Sequence, residues 1–248
     1  MASHSGSGTV EMRAVVELLK EAGIPCCIVG THSLGYYGAG RVPIYWELCV
    51  PEDRLNEAAE LFKSEPLSQK YEPWPVNAPV PCSIVHTFPR FHLKGVHFLF
   101  FLVPSSDWPG VSCDPSHCET SVMGLPYPKL EYLAQALLDT QRWVDLEDLV
   151  DGMNLSEEWG EQNLDLDREY SLEYAEWKNA RIRASIPETP YSDLMELNEN
   201  PTSLREIWQD IVRTKERRIG LELPKDQYLT RFWPIGAKDP RLRERHTF

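Results

Sequence analysis

The segment IVGTHSLGYYGAGRVPIYWELCV, residues 28–50, changes character several times within a short span. An apolar run, Cys26 to Val29, ends at Gly30. Small residues from Thr31 to Tyr37 follow and are closed by Gly38. After Gly40-Arg41 a second strand-like run extends from Ile44 to Val50, in which Tyr45 and Glu47 alternate with apolar neighbours. The order is strand, glycine turn, short helix, strand. It gathers the Gly30 amides and one face of the second strand around a common cleft. A helix start after a glycine turn leaves N–H groups free for a phosphate. The same glycine also serves a tight turn on backbone grounds alone.

With these residues in that order, the stretch resembles the nucleotidyltransferase fold of the polymerase-beta type, in its minimal and antitoxin/toxin-like forms. The resemblance sets Gly30-Thr31 on the family's glycine turn, Gly38 and Arg41 on its following Gly and Arg, and Tyr45-Trp46-Glu47 on its Asp-x-Asp. It implies a small mixed sheet flanked by helices. It also exposes a departure: Tyr45 stands where the first metal-binding carboxylate belongs, and Glu47 alone remains. The family's third carboxylate follows a Gly and an apolar residue on a later strand. Here Gly95-Val96 leads to His97, and no Asp or Glu occurs from Arg90 to Ser106. The resemblance continues in the helices from Pro128 to about residue 160, where Gln135 occupies the region in which relatives carry a nucleotide-facing Lys.

Around this centre the chain divides by composition. Residues 1–8 are small and polar, which predicts a disordered N-terminus. Thr9 to Ala22 is an amphipathic helix with Met12, Val15, Val16 and Leu19 on one face, stopped by Gly23. Pro51-Glu52-Asp53 opens another helix, with Leu55, Ala58, Ala59 and Phe62 on its inner side. Prolines crowd residues 66–82, predicting an irregular loop. Strands are expected at Ser83–Phe88 and Val96–Val103, the second apolar enough to be covered on both faces. A polar loop runs from Ser105 to Leu125, and helices fill the chain from Lys129 to about Gly220. These include Lys129–Thr140, Trp143–Met153, an aromatic helix Arg168–Ser185 with Tyr170, Tyr174 and Trp177, and Leu204–Ile219 opened by a Ser203-x-x-Glu206 capping box. The expected organisation is a core at 9–125, a helical region at 126–220 and a tail at 221–248.

The chain of 248 residues carries a net charge of −13, which argues against a nucleic-acid backbone as partner. The basic clusters Lys215–Arg218 and Arg241–Arg245 read as solvated surface. No run of about 18 apolar residues is present, so a membrane partner is not expected. The N-terminus lacks the basic-then-apolar pattern of a secretory signal, and the six cysteines form no disulfide ladder, so a reduced, cytoplasmic chain is expected.

Several side chains combine chemistry with a plain structural reading. Glu47 can hold one cation or serve as an acid/base, or simply sit on a partly open strand face. Arg41 can pair with Glu47 or grip an anion. His86, His92 and His97 lie on or between adjacent predicted strands and can converge on the cleft as bases, or remain core histidines. Cys113, His117 and Cys118 suggest zinc but fall short of a four-ligand set, leaving Asp114 or a distant residue to complete it. Cys26 and Cys27 read as buried packing, and Asp145 and Asp148 as solvated, capping acids.

The expected protein is α/β (α+β), with a mixed sheet of nucleotidyltransferase type and a helical C-terminal half. Its cleft is bordered by Gly30, Thr31, Ser33, Arg41 and Tyr45 as ligand-binding residues and by Glu47 and His97 as catalytic candidates, with no metal site and no cofactor. The predicted function is a catalytically degenerate domain that binds a small molecule, a nucleotide or a protein partner. One alternative is an active, Mg²⁺-dependent transferase that recruits Asp107 or Asp114 beside Glu47. The other is a metal-independent enzyme of small-molecule metabolism using His or Glu.

Overall fold

The computed structural model describes residues 8–242, apart from 77, 170, 187–194 and 221–222. The N-terminal helix α1 (Thr9–Glu21) buries Met12, Val15, Val16 and Leu19, the i, i+3, i+4, i+7 stripe of its sequence. Strand β1 (Cys27–Val29), helix α2 (Gly30–Tyr36) and strand β2 (Trp46–Val50) follow in the expected order. Helix α3 (Leu55–Lys63) comes next and turns Ala58, Ala59 and Phe62 inward.

Two strands then depart from the sequence expectation. Strand β3 (Tyr71–Pro73) lies inside the proline-rich stretch, and β4 is Arg90–Leu93 rather than Ser83–Phe88. The prolines are tolerated because β3 is the sheet edge, where a missing N–H breaks no ladder. Tyr71 anchors it by packing edge-on against Phe62 and Phe100. Ser83–Phe88 is instead a single 3₁₀ turn, in which Thr87 donates through both its backbone N–H and its hydroxyl to the Ile84 carbonyl.

Strand β5 (Leu99–Pro104) completes the sheet, in the order β1-β2-β5-β4-β3. It runs parallel to β2 and antiparallel to β4. Its continuously apolar run is buried along nearly its whole length, as the sequence predicts for a strand covered on both faces. It begins later than expected because Val96 and Phe98 close a hydrogen-bonded turn with Leu93.

The short strands β6 (Cys118–Thr120) and β7 (Pro126–Pro128) form a hairpin close to β1. The chain then becomes helical: α4 (Leu130–Asp139), α5 (Trp143–Met153), α6 (Glu157–Asn163), α7 (Leu172–Ser185), α8 (Leu204–Arg213) and α9 (Lys215–Arg218). Ser156, Ser171 and Ser203 cap α6, α7 and α8 by accepting from backbone N–H groups three residues on. Tyr170, expected in the aromatic helix, lies outside the described residues, as do residues 1–7. The last segment pairs β8 (Tyr228–Thr230) with β9 (Trp233–Pro234) and folds back on α5. The whole is a mixed α/β architecture with a five-stranded sheet. Among the described residues no helix is long and apolar enough to cross a membrane.

Helix α5 meets the end of α2 backbone to backbone. A Cβ on Gly152 would lie 2.5 Å from the Tyr37 carbonyl oxygen and 2.8 Å from the Ala39 nitrogen. One on Gly38 would lie 2.6 Å from the Gly152 oxygen, and Gly38 has φ +92°. Neither neighbour can yield as a flexible side chain would. Gly152→Ala is therefore expected to destabilise the protein by about 3 kcal/mol. Urea unfolding checks this as a lower midpoint with an unchanged slope.

Candidate functional site

Glu47 occupies the space above Gly30. Gly30 has φ +65°, and any Cβ placed on it would run into Glu47 Oε2. The position needs glycine twice, for its backbone conformation and for the carboxylate that lies against it. The Thr31 backbone N–H donates to that carboxylate. The amide expected to cradle a phosphate thus holds this chain's own acid. Ser33 is fully buried and donates to the Gly30 carbonyl at 2.8 Å, so its hydroxyl serves the helix and does not reach the cleft.

Across the sheet, Glu47 on β2 stands beside Phe101 on β5, and Phe101 beside Arg90 on β4. Paired residues share a sheet face, so these three form one row. Tyr45, half-buried just before β2, stacks on Phe101 with ring centres 4.2 Å apart. The Arg90 guanidinium lies over the same ring at 4.6 Å. Arg90 is buried and donates to the carbonyls of Phe88 at 3.2 Å and Val85 at 2.7 Å. Where the family resemblance calls for carboxylates around Glu47, this chain has an aromatic pair.

Beyond β5, Asp107 is buried between two cations. Arg142 donates to Oδ2 at 2.6 Å and Lys178 reaches Oδ1 at 2.9 Å. Lys178 also donates to the Tyr174 hydroxyl at 3.0 Å, which itself reaches the Asp107 carbonyl at 3.2 Å. The Arg142 guanidinium covers the Trp108 ring at 4.2 Å. Burial pushes the Asp107 carboxyl up, but Lys178 and Arg142 outweigh it and hold it below its usual value. Burial also lowers the Lys178 ammonium pKa, against the pull of Asp107. Glu47 behaves in the opposite way. Burial raises it, Arg142 only partly offsets this, and Asp145 and Asp107 add repulsion, so its pKa rises to about 7.

Arg41 does not pair with Glu47. It donates to Asp145 at 2.6 Å and to the buried Asp148. Asp148 also takes Arg231 at 2.6 Å, and Asp151 takes Arg231 at 2.7 Å and Arg218 at 2.8 Å. The acids read as solvated are thus a paired ladder along α5, and Arg218, read as surface, is one of their partners. Arg241 likewise pairs with Asp239 at 2.6 Å and with Glu119 at 3.3 Å. Residues 243–245 of that second basic cluster lie outside the described residues.

The histidines do not converge on Glu47. His97 is exposed in the turn before β5, because the strand starts two residues after it. Phe101, the neighbour of Glu47, stands four residues further along, about 13 Å away at strand rise. His86 bonds Ser185 Oγ at 2.9 Å, and His92 lies 3.5 Å from Glu72 and tilts against Trp74. Asp114 is exposed and accepts from Ser116 within its own turn.

Around Glu47 the structure thus gathers Gly30, Thr31, Tyr45 and Phe101, with Arg142 and Asp145 near enough to act on its charge. Arg142, Lys178 and Arg90 were missed in the sequence. The Tyr174-Lys178 pair, one helical turn apart in an aromatic helix, was the available signal for Lys178.

No family model matches the chain, and no curated protein matches it. Among solved structures it is similar to the solution structure of the antibiotic-resistance factor ANT(2'')-Ia, which is described as having substrate-regulated conformation dynamics. The identity is 11% and the TM-score 0.36, over 72% of this chain and 92% of that one. A likeness this loose transfers no residue and no chemistry.

Two outcomes follow from the electrostatics. Replacing Lys178 by Met leaves the buried Asp107 with Arg142 alone and is expected to cost about 3 kcal/mol in chemical denaturation. Glu47 binds its proton more tightly in the folded than in the unfolded chain. Its contribution to stability is complete below the ordinary value of 4.5 and is lost as pH rises to about 7. Unfolding free energy measured across that window should fall with pH, and Glu47→Gln should remove that part of the slope.

Proposed function

We propose that this chain is a nucleotidyltransferase-type domain that does not use two-metal chemistry, and that its cleft binds an uncharged, planar small molecule of the nucleoside class. The observation that carries this reading is the Tyr45-Phe101 stack beside Glu47. Two-metal phosphoryl transfer needs carboxylates that hold ions about 3.5–4 Å apart. Glu47 has an aromatic ring at the adjacent position, and the two acids that act on its charge are already paired, Asp145 with Arg41 and Asp107 with Arg142 and Lys178.

The charge on the ligand follows from what the cations already do. Arg41, Arg142 and Lys178 each hold a carboxylate. A phosphate entering the turn would also have to displace Glu47 from the Thr31 amide. An uncharged ring meets neither obstacle. Tyr45 presents a half-open aromatic face, and a Glu47 that is half protonated near pH 7 can both donate and accept along the edge of a base.

The test is thermal unfolding with nucleosides and nucleoside triphosphates, each with and without Mg²⁺. A ligand at about 100 times its Kd adds about 2.7 kcal/mol to a native state that alone binds it. The expected result is stabilisation by a nucleoside, indifferent to Mg²⁺ and lost in Tyr45→Ala and Glu47→Gln. Stabilisation only by a triphosphate with Mg²⁺, together with nucleotide transfer abolished by Glu47→Gln, would restore the active transferase. No stabilisation by any of these ligands would remove the nucleoside reading and leave a protein partner.

A second reading is favoured by one observation, the carboxyl poised near neutrality. A group with a pKa near the working pH is suited to general acid–base catalysis. Metal-independent turnover of a bound ligand would then show an inflection near pH 7 that Glu47→Gln removes.

A further inference from the structure

A cluster of thiols lies away from the aromatic row and takes no part in the cleft chemistry. Cys27 and Cys49 are direct cross-strand partners on β1 and β2. The loop after β5 brings Cys113 to the same place, with its sulfur 3.9 Å from that of Cys27 and donating to the Cys49 carbonyl at 3.3 Å. All three are buried, and their sulfurs lie within 4.8 Å of one another. Cys118, half-buried at the start of β6, stands five residues beyond Cys113, and its thiol donates to the Ser112 carbonyl at 3.5 Å. Three thiols from three distant segments meet in the dry interior, and a fourth lies on the loop that supplies one of them.

We propose that Cys27, Cys49 and Cys113 form a thiolate metal site, completed by Cys118, for a zinc-class divalent cation. Zinc bound by thiolates has Zn–S bonds of about 2.3 Å, and a tetrahedral set of that size separates its sulfurs by about 3.8 Å. The Cys27–Cys113 separation already matches this spacing, and no separation in the trio exceeds it by more than about an ångström. The absence of carboxylates and imidazoles from the trio favours a thiophilic ion over magnesium or calcium. Binding exchanges each coordinating thiol's proton for the metal, so the protons leave to solvent and no electron is transferred.

The site would be structural. Four protein ligands leave no open position for a substrate or water. Cys49 follows Glu47 by two residues, on the same sheet face of β2. The metal would therefore fasten the loop carrying Cys113 and Cys118 to the strand that carries Glu47. The sequence reading stopped at Cys113, His117 and Cys118 because the missing ligands are supplied by the sheet, more than sixty residues earlier.

The test uses the full chain, purified under reductant without a metal-affinity tag. Elemental analysis is expected to find zinc in stoichiometric amount in the wild type and in Cys82→Ser, whose thiol is exposed and lies elsewhere. Cys113→Ser is expected to lose that zinc, and a chelator to lower the melting temperature of the wild type. Cobalt(II) added to chelator-stripped wild type should give the sulfur-to-metal charge-transfer band and strong visible bands of a tetrahedral thiolate site, so the answer does not depend on Cys113→Ser folding. A reduced wild type that takes up neither zinc nor cobalt overturns the proposal. So does peptide mapping that finds Cys27 and Cys113 joined as a disulfide in the protein as isolated.

Discussion

The contact on which most of this structure depends is the backbone approach of α5 to the end of α2, where Gly152 meets Tyr37, Gly38 and Ala39 without an intervening side chain. A helix held that close can be approached from the sides only by groups that suit its own residues. Asp145, Asp148 and Asp151 recur every third residue along it, and each is met by an arginine from another part of the chain. Arg41 comes from the loop after α2, Arg231 from the last hairpin and Arg218 from α9. Buried ion pairs of this kind add little net stability over apolar packing, but removing one partner leaves a charge without compensation. Their effect here is to make the position of the loop and of the C-terminal hairpin conditional on that of α5. The same placement sets Arg142 and Asp145 near enough to Glu47 to act on its charge.

Glu47 and Asp107 show how two desolvated carboxylates in one region come to differ. Desolvation raises both. Asp107 is in direct contact with two cations, each within hydrogen-bond distance, and its ionised form prevails. Glu47 feels Arg142 only at longer range, and its one direct donor is the Thr31 amide. Coulomb attraction falls with distance while desolvation does not depend on a partner at all, so the acid without a contact cation is the one that stays protonated to higher pH. Arg142 cannot serve both. It is drawn to Asp107 and stacked on Trp108, and that commitment leaves Glu47 near neutrality.

Much of the architecture was legible from local patterns. The stripe of α1, the apolar run of β5 and the capping serine of α8 carry their signals within a few residues, and the structure forms all three elements, β5 with a later start. The glycine turn at Gly30 and the strand β2 that follows were legible for the same reason. What could not be read was decided at long range. Tyr71 holds a strand in a proline-rich segment because Phe62 and Phe100 receive its ring. His97 was assigned to a strand face by alternation, and a turn closed by Val96 and Phe98 moved the strand's start past it. Arg41, given a choice of nearby acids in the chain, took Asp145 and Asp148, 104 residues away in the case of Asp145. Pairings of that separation leave no trace in spacing or composition.

The position of Glu47 also gives the glycine turn a role that lies within the chain itself. In a phosphate-binding turn, the free amide and the positive φ serve an anion supplied from outside. Here the anion is built into the neighbouring strand. Gly30 must still lack a Cβ, now because a side-chain carboxylate rather than a phosphate needs the room, and Thr31 still donates its N–H. The backbone requirement is therefore met from within the chain. The glycine that first suggested phosphate chemistry is thus accounted for by the carboxylate that lies against it.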